Sequence, residues 1–230
     1  MNPPDSLMAP ADCAVVFVDQ QPGLAFAVQS MDRQVLLNNA VALARTAGVF
    51  GLPVVASTSA SRVYSGPMFP ALQAVLPGVA VLERRSMNLW EDEAARAAVR
   101  ATGRHRLLVS GLLTEGCVTF LVLSALADGY DVLVVGDACG GATDQGDALA
   151  LTRMTAAGAR VTSWMQVLLE LQRDWTRHET YDSARAIVEA NGGGYGIGLS
   201  YARDMIPSPS PPPPPPPPPP AGTSAQKAKP

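Results

Sequence analysis

Both lysines of this 230-residue chain, Lys227 and Lys229, sit at its extreme C-terminus, so every cation of the folded part is an arginine. Any mechanism that needs a lysine amine is thereby excluded. Histidine is nearly as scarce: His105 and His178 are the only two, and neither lies in an HxH or HExxH pattern. With so few imidazoles and no cysteine cluster, a dedicated transition-metal site is not expected. The three cysteines, Cys13, Cys117 and Cys139, form an odd set without a CxxC, which argues against a disulfide framework or a structural zinc. A formal net charge of −3 leaves no basic footprint for nucleic acid. Met1 to Pro10 has no basic region followed by an apolar stretch, and no apolar run reaches bilayer length, so neither a secretory signal nor a membrane partner is expected. A soluble cytoplasmic protein is the default expectation.

What is present is ordinary for an enzyme-sized domain: 47% hydrophobic and 16% charged residues. The composition changes once, so residues 1–206 are expected to form one domain and 207–230 a disordered proline-rich tail. Ten consecutive prolines, Pro211 to Pro220, favour a polyproline II rod, either passive or a ligand for an SH3-like partner.

Short apolar runs alternate with helical patterns. Strands are expected at 14–18, 53–56, 79–83, 107–109, 131–135 and 160–162. Helices are expected at 32–49, from the Asn88/Glu91 capping-box pattern to Thr102, at 116–128, 144–157 and 164–173. This alternation predicts an α/β fold of three layers, a mostly parallel six-stranded sheet with helices on both faces. The helix after Gly116 is apolar almost all round and is expected to be buried, at a subunit contact if the chain assembles. Residues 57–77 form a long polar excursion of the kind that shapes a binding site. Gly192 to Gly198 is glycine-rich but lacks GxGxxG spacing and a preceding strand, so a flexible connection is expected there rather than a phosphate loop.

Cys117 follows an apolar strand at the point where a helix begins. Unpaired N–H groups and the helix dipole favour a negative sulfur at such a place. In an open parallel sheet the functional crevice lies at the carboxyl ends of the strands, and Asp19, Arg84 and Cys117 each fall at or just beyond such an end. Singly they have plain readings: a loop-capping aspartate, a surface arginine beside Arg85, a buried inert thiol. Jointly they supply an acid, a cation and a nucleophile. Cys13 and Cys139 are assigned to packing.

The motifs resemble those of the isochorismatase-like cysteine hydrolases. They are Asp19-Gln20-Gln21 after the first strand, Arg84 with Trp90 six residues on, and Gly111, Thr114, Cys117 and Val118 in a Gly-x-x-Thr-x-x-Cys-Val pattern. Gly66-Pro67, Asn88 to Glu91 and Glu170 to Trp175 resemble the YcaC-like branch in particular. The resemblance implies a Rossmann-like hydrolase fold and a homo-oligomer, with a small-molecule amide or related carbonyl compound attacked by Cys117. Asp19 would shuttle the proton and Arg84 would lower the thiol pKa. A non-proline cis peptide would map onto Leu112-Leu113, with the N–H groups of Leu113 and Cys117 forming the oxyanion hole. Gln21, Phe26, Thr58 and Trp90 are candidates for the pocket wall. Most such proteins carry lysine where this chain has Arg84, and arginine cannot exchange its proton at working pH, so Asp19 would carry all proton transfer. The metal-binding Asp/His cluster of nicotinamidases has no match here, so neither metal nor other cofactor is expected. A thiol redox sensor and a catalytically silent oligomer of the same fold are the competing readings.

Overall fold

The structure is a computed structural model that describes residues 7–206. The proline-rich segment 207–230 lies outside the described residues. Six strands, β1 (Cys13–Val18), β2 (Val54–Ser59), β3 (Val81–Arg84), β4 (Arg106–Gly111), β5 (Asp131–Val135) and β6 (Arg160–Thr162), form one sheet in the order β3-β2-β1-β4-β5-β6. Every neighbouring pair is parallel. Nine α-helical segments accompany them among the described residues. These are α1 (Pro22–Ala25), α2 (Arg33–Val49), α3 (Pro70–Ala74), α4 (Glu93–Ala101), α5 (Thr119–Ala127), α6 (Asp144–Ala156), α7 (Trp164–Gln172), α8 (His178–Asn191) and α9 (Gly193–Met205). None is long and apolar enough to cross a membrane.

The central strands β1 and β4 are buried along their whole length, which is why they read as continuous apolar runs instead of alternating ones. Side-chain alternation then divides the core. Val15, Phe17, Leu108 and Leu133 face α2, α7 and α8, whereas Ala14, Val16, Val18, Leu107 and Val109 face α4, α5 and α6. Helices therefore cover both faces, as expected.

Local departures from expectation have physical causes. The Asn88/Glu91 pattern caps a 3-10 turn, Leu89–Glu91, through Asn88 Oδ1, and α4 has its own cap in Asp92, which accepts the Ala95 N–H at 3.0 Å. The expected helix at 116–128 begins earlier, with a π-turn over Thr114–Val118 that leads into α5. Leu121, Val122 and Ala125 of α5 are buried, but Phe120 on its outer side is 37% exposed, so the helix is not buried all round. Gly192 to Gly198 is no flexible connection: most of it belongs to α9, which packs back on α8. The lack of a side chain permits this, because a Cβ on Gly196 would lie 2.4 Å from the Val188 carbonyl oxygen.

The chain passes from β1 outward to β3, then returns to place β4 on the other side of β1. The carboxyl ends of β1 and β4 thus flank the switch point of the sheet, where a crevice opens. Close approach of the two strands depends on Gly111, since a Cβ there would lie 2.0 Å from the Val18 carbonyl oxygen and 2.4 Å from Val18 Cγ1. Gly111→Ala is expected to lower stability by about 3 kcal/mol or more, because backbone of a central strand has to move. Gly48→Ala, on a helix position with open space around it, is expected to be neutral or stabilising by up to about 1 kcal/mol. Thermal or urea unfolding of the two variants checks the contrast.

Candidate active site

Asp19 is the first residue beyond β1, and its φ of 54° is left-handed. A non-glycine residue there is strained by about 1 kcal/mol or more and needs support. The support is dense: Asp19 N–H donates to Ser57 O at 2.9 Å, and Gln21 N–H donates to Asp19 O at 2.7 Å. Gln20 Nε2 reaches Ser110 Oγ and Ala138 O, both at 2.9 Å, and ties the loop to β4 and the end of β5. The loop holds the Asp19 carboxylate fully buried over the switch point.

Arg84 ends β3, which is two strands away from β1, a separation of about 10 Å. Only a long side chain spans that gap. The guanidinium crosses the end of β2, donates from Nη2 to Asp19 Oδ2 and from Nη1 to Ser86 O at 3.0 Å, and is 2% exposed as a residue. Its neighbour Arg85 is exposed and lines a cavity that Arg84 and Cys117 share. The plain reading of Arg84 as a surface arginine is thereby corrected.

Cys117 lies in the π-turn after β4, facing the Asp19 carboxylate. Asp19 Oδ2 is occupied by Arg84, whereas Oδ1 is buried and has no partner in hydrogen-bond geometry. An oriented, desolvated acceptor beside a thiol is a place for a proton to go. Together with Leu24, Ser59, Ala60, Glu83, Met87 and Leu113, Arg84 and Cys117 line a cavity of about 600 Å³. Leu24, Glu83 and Met87 had no signal in the sequence beyond their proximity to motif residues. The Leu112–Leu113 peptide bond is cis.

Charge at the site differs from the expectation of a thiolate stabilised by a cation. Burial, then the Asp19 charge and its interaction with the thiol, push Cys117 up to about 12, and Arg84 only partly offsets them. The cation has little to spare because Asp19 already neutralises it. Asp19 itself is raised above the ordinary carboxylate value by burial, against the pull of Arg84 and of its hydrogen-bonding neighbours. The resting pair is therefore a protonated thiol beside a carboxylate of increased basicity. Cys13 and Cys139 are also buried, and burial raises both thiols.

The residues expected in the pocket wall occupy other places. Gln21 is fully buried and ties the end of β2 to the following loop, donating to Ser59 O at 3.1 Å and Gly66 O at 2.5 Å and accepting from Ser59 N–H at 3.1 Å. Thr58 Oγ1 donates to Glu83 Oε2 at 2.8 Å, so it orients a cavity-lining carboxylate. Phe26 is 77% exposed at the end of α1. Trp90 is a core residue: its Nε1 donates to Asp128 Oδ2 at 2.7 Å, and its ring stands edge-on to Tyr130 at 5.3 Å. Asp128 caps the far end of α5, roughly 16 Å from Cys117 along the helix. The short apolar spacing around Trp90 therefore reflects packing, not the pocket. Among the described residues no group of three or more His, Cys, Asp or Glu side chains is arranged to hold a metal ion.

The Isochorismatase domain model matches residues 13–166, which contain all three of these side chains. The chain belongs to the isochorismatase family. It is 39% identical over 165 residues to Probable hydrolase YcaC of Escherichia coli (strain K12), covering 71% of this chain and 79% of that one. The solved structure of the Escherichia coli YcaC gene product, described as an octameric hydrolase of unknown specificity, superposes with a TM-score of 0.82 at 34% identity, covering 88% of this chain and 99% of the other. YcaC from Pseudomonas aeruginosa, solved with hexane-2,5-diol and covalent acrylamide, gives a TM-score of 0.81 at 36% identity over 85% of this chain and 96% of that one. This isochorismatase-family protein is a hydrolase of the YcaC-like branch.

The buried thiol makes a direct prediction. In the ultraviolet thiolate absorbance of the wild type minus Cys117→Ala, no ionised sulfur is expected across the neutral range, since the thiol titrates only toward about 12. Asp19→Asn removes the negative charge that opposes ionisation, so the titration is expected to move to lower pH. A wild-type plateau near neutrality would contradict this charge arrangement.

Proposed function

We propose that the chain is a metal-independent cysteine hydrolase of small amides or related carbonyl compounds, acting through a covalent Cys117 intermediate. The observation that carries the reading is the buried Asp19 carboxylate, held by Arg84 and interacting with the Cys117 thiol, where Arg84 and Cys117 line a cavity large enough for a small molecule. Covalent acrylamide in the Pseudomonas aeruginosa relative supports a nucleophile within reach of small electrophiles in that protein, because acrylamide reacts at its vinyl carbon and keeps its amide; the substrate class rests on the family.

As Sγ attacks the carbonyl carbon, its proton passes to Asp19. The raised basicity of the carboxylate favours that transfer, and no free thiolate has to exist beforehand. The oxyanion forms beside the π-turn. The N–H groups of Thr114, Gly116 and Val118 are already bonded to the carbonyls of Gly140 and Leu113. The oxyanion is assigned to the N–H groups of Leu113 and Cys117, on either side of the turn. Collapse of the tetrahedral adduct breaks the C–N bond, and Asp19 returns the proton to the leaving amine. A water then attacks the thioester, giving its proton to Asp19, and the acid leaves as the thiol is restored. Arg84 keeps its charge throughout, holding the carboxylate in place through Oδ2.

A thiol kept protonated is a slow target for oxidants, which disfavours the redox-sensor reading. The octameric Escherichia coli relative and the exposed Phe120 on the outer side of α5 support a homo-oligomer.

A panel of primary amides and carbamoyl compounds tests the reaction. Cys117→Ala is expected to lose turnover by about 10⁴-fold or more, and mass spectrometry of the wild type should trap an acyl adduct on Cys117. Asp19→Asn should lose turnover although its sulfur ionises more readily. Turnover that survives Cys117→Ala would remove the nucleophile from the mechanism. Arg84→Met leaves the Asp19 charge buried without its partner and is expected to cost about 3 to 5 kcal/mol of stability, read by unfolding.

A further inference from the structure

A second cavity, of about 290 Å³, lies on the far side of the molecule's helical layer, where α7, α8 and α9 meet. Its wall is apolar and aromatic, built by Leu168, Trp175, Tyr181, Val188, Tyr195 and Leu199. Trp175 stands edge-on to Tyr181 with ring centroids 6.0 Å apart, yet it is 65% exposed and Tyr195 is 48% exposed. Aromatic rings held in a fixed geometry but left open to water are unusual outside a binding surface. Nothing in the chemistry at Cys117 uses them.

We infer that this groove is the docking site of the chain's own proline-rich segment, Pro211 to Pro220. Three features of the molecule meet here. First, polyproline helices are recognised by grooves lined with Trp and Tyr, because proline rings stack on aromatic faces and the helix is already ordered before it binds. A proline helix has carbonyl acceptors and no N–H donors, and Trp175, Tyr181 and Tyr195 carry an indole N–H and two hydroxyls of the complementary kind. Secondly, α9 supplies Tyr195 and Leu199 to the groove and ends at Met205, so the described chain stops about 10 Å along the helix from the groove wall. Thirdly, the four residues 207–210 separate that end from the first of the ten prolines, and extended they cover roughly 12 Å. The connection is long enough to turn back and short enough to keep the prolines at high local concentration. The occupant can thus be supplied by the same chain, without a partner of matching sequence.

Iodide quenching of tryptophan fluorescence tests the inference in the full-length protein, since Trp90 and Trp164 are buried and Trp175 is the exposed indole. The comparison chain carries serine at all ten positions, Pro211→Ser through Pro220→Ser. Docking requires that Trp175 be shielded in the wild type and become quenchable in the serine chain. A synthetic decaproline peptide should restore shielding to the serine chain in a saturable way, and Tyr195→Ala in that chain should weaken peptide binding by about tenfold. Equal quenching of both chains would mean an empty groove, and equal shielding in both would mean that a second copy or another segment covers it. Either result overturns the inference.

Discussion

The buried ion pair between Asp19 and Arg84 is the interaction on which the rest of the site depends. Each member is costly alone: a carboxylate out of water beside a cysteine, and a guanidinium drawn across the end of a strand into the interior. Paired, they fix one another. The pairing occupies Oδ2, holds the carboxylate beside the Cys117 thiol, and supports a left-handed aspartate in the loop after β1. Gln20 and Gln21 serve this geometry from behind, one tying the loop to β4 and the other to β2. Gln20 Nε2 is spent on Ser110 Oγ and Ala138 O, and the Gln21 amide is spent on the backbone of Ser59 and Gly66.

The same pair changes how the nucleophile works. A cation near a cysteine is ordinarily expected to release the thiol proton, but a cation neutralised at close range by a carboxylate offers a nearly balanced field. Desolvation then dominates and keeps sulfur protonated. In the proposed reaction, activation is then a matter of proton acceptance by Asp19 at the moment of attack, not of a thiolate formed beforehand. An arginine suits the proposed division of labour, because its task there would be to hold a carboxylate and not to exchange a proton.

Much of the fold was legible because a buried parallel strand has a strong signature. Ala14 to Val18, Leu107 to Val109 and Asp131 to Val135 are short apolar runs between helical patterns, and each is a strand close to its expected limits. The edges were less legible. β3 begins two residues later than its apolar run, because pairing with β2 sets the register of Ala56 against Val81. Neither α8 nor α9 was expected; for α9 the signal was masked by glycines at 192, 193, 194, 196 and 198, which lower intrinsic helix propensity. Packing of α9 against α8, at a distance only glycine allows, overrides that penalty. Trp90 and Phe26 show the limit of motif proximity, since a few residues from a catalytic candidate they serve the core and the surface; Thr58, near a strand end, orients Glu83.

What the amino-acid sequence determined by itself was the kind of chemistry available: no lysine in the folded part, no histidine or cysteine cluster, one cysteine at a strand-to-helix turn, and an acid and an arginine at other strand ends. Local pattern sets such properties, because strand and helix periodicity and residue type act over a few neighbours. Tertiary structure alone decided that the acid and the arginine pair, that the carboxylate is buried beside the thiol, and that the thiol keeps its proton. Those outcomes depend on desolvation and on distances between segments far apart in the chain, and no local pattern encodes them.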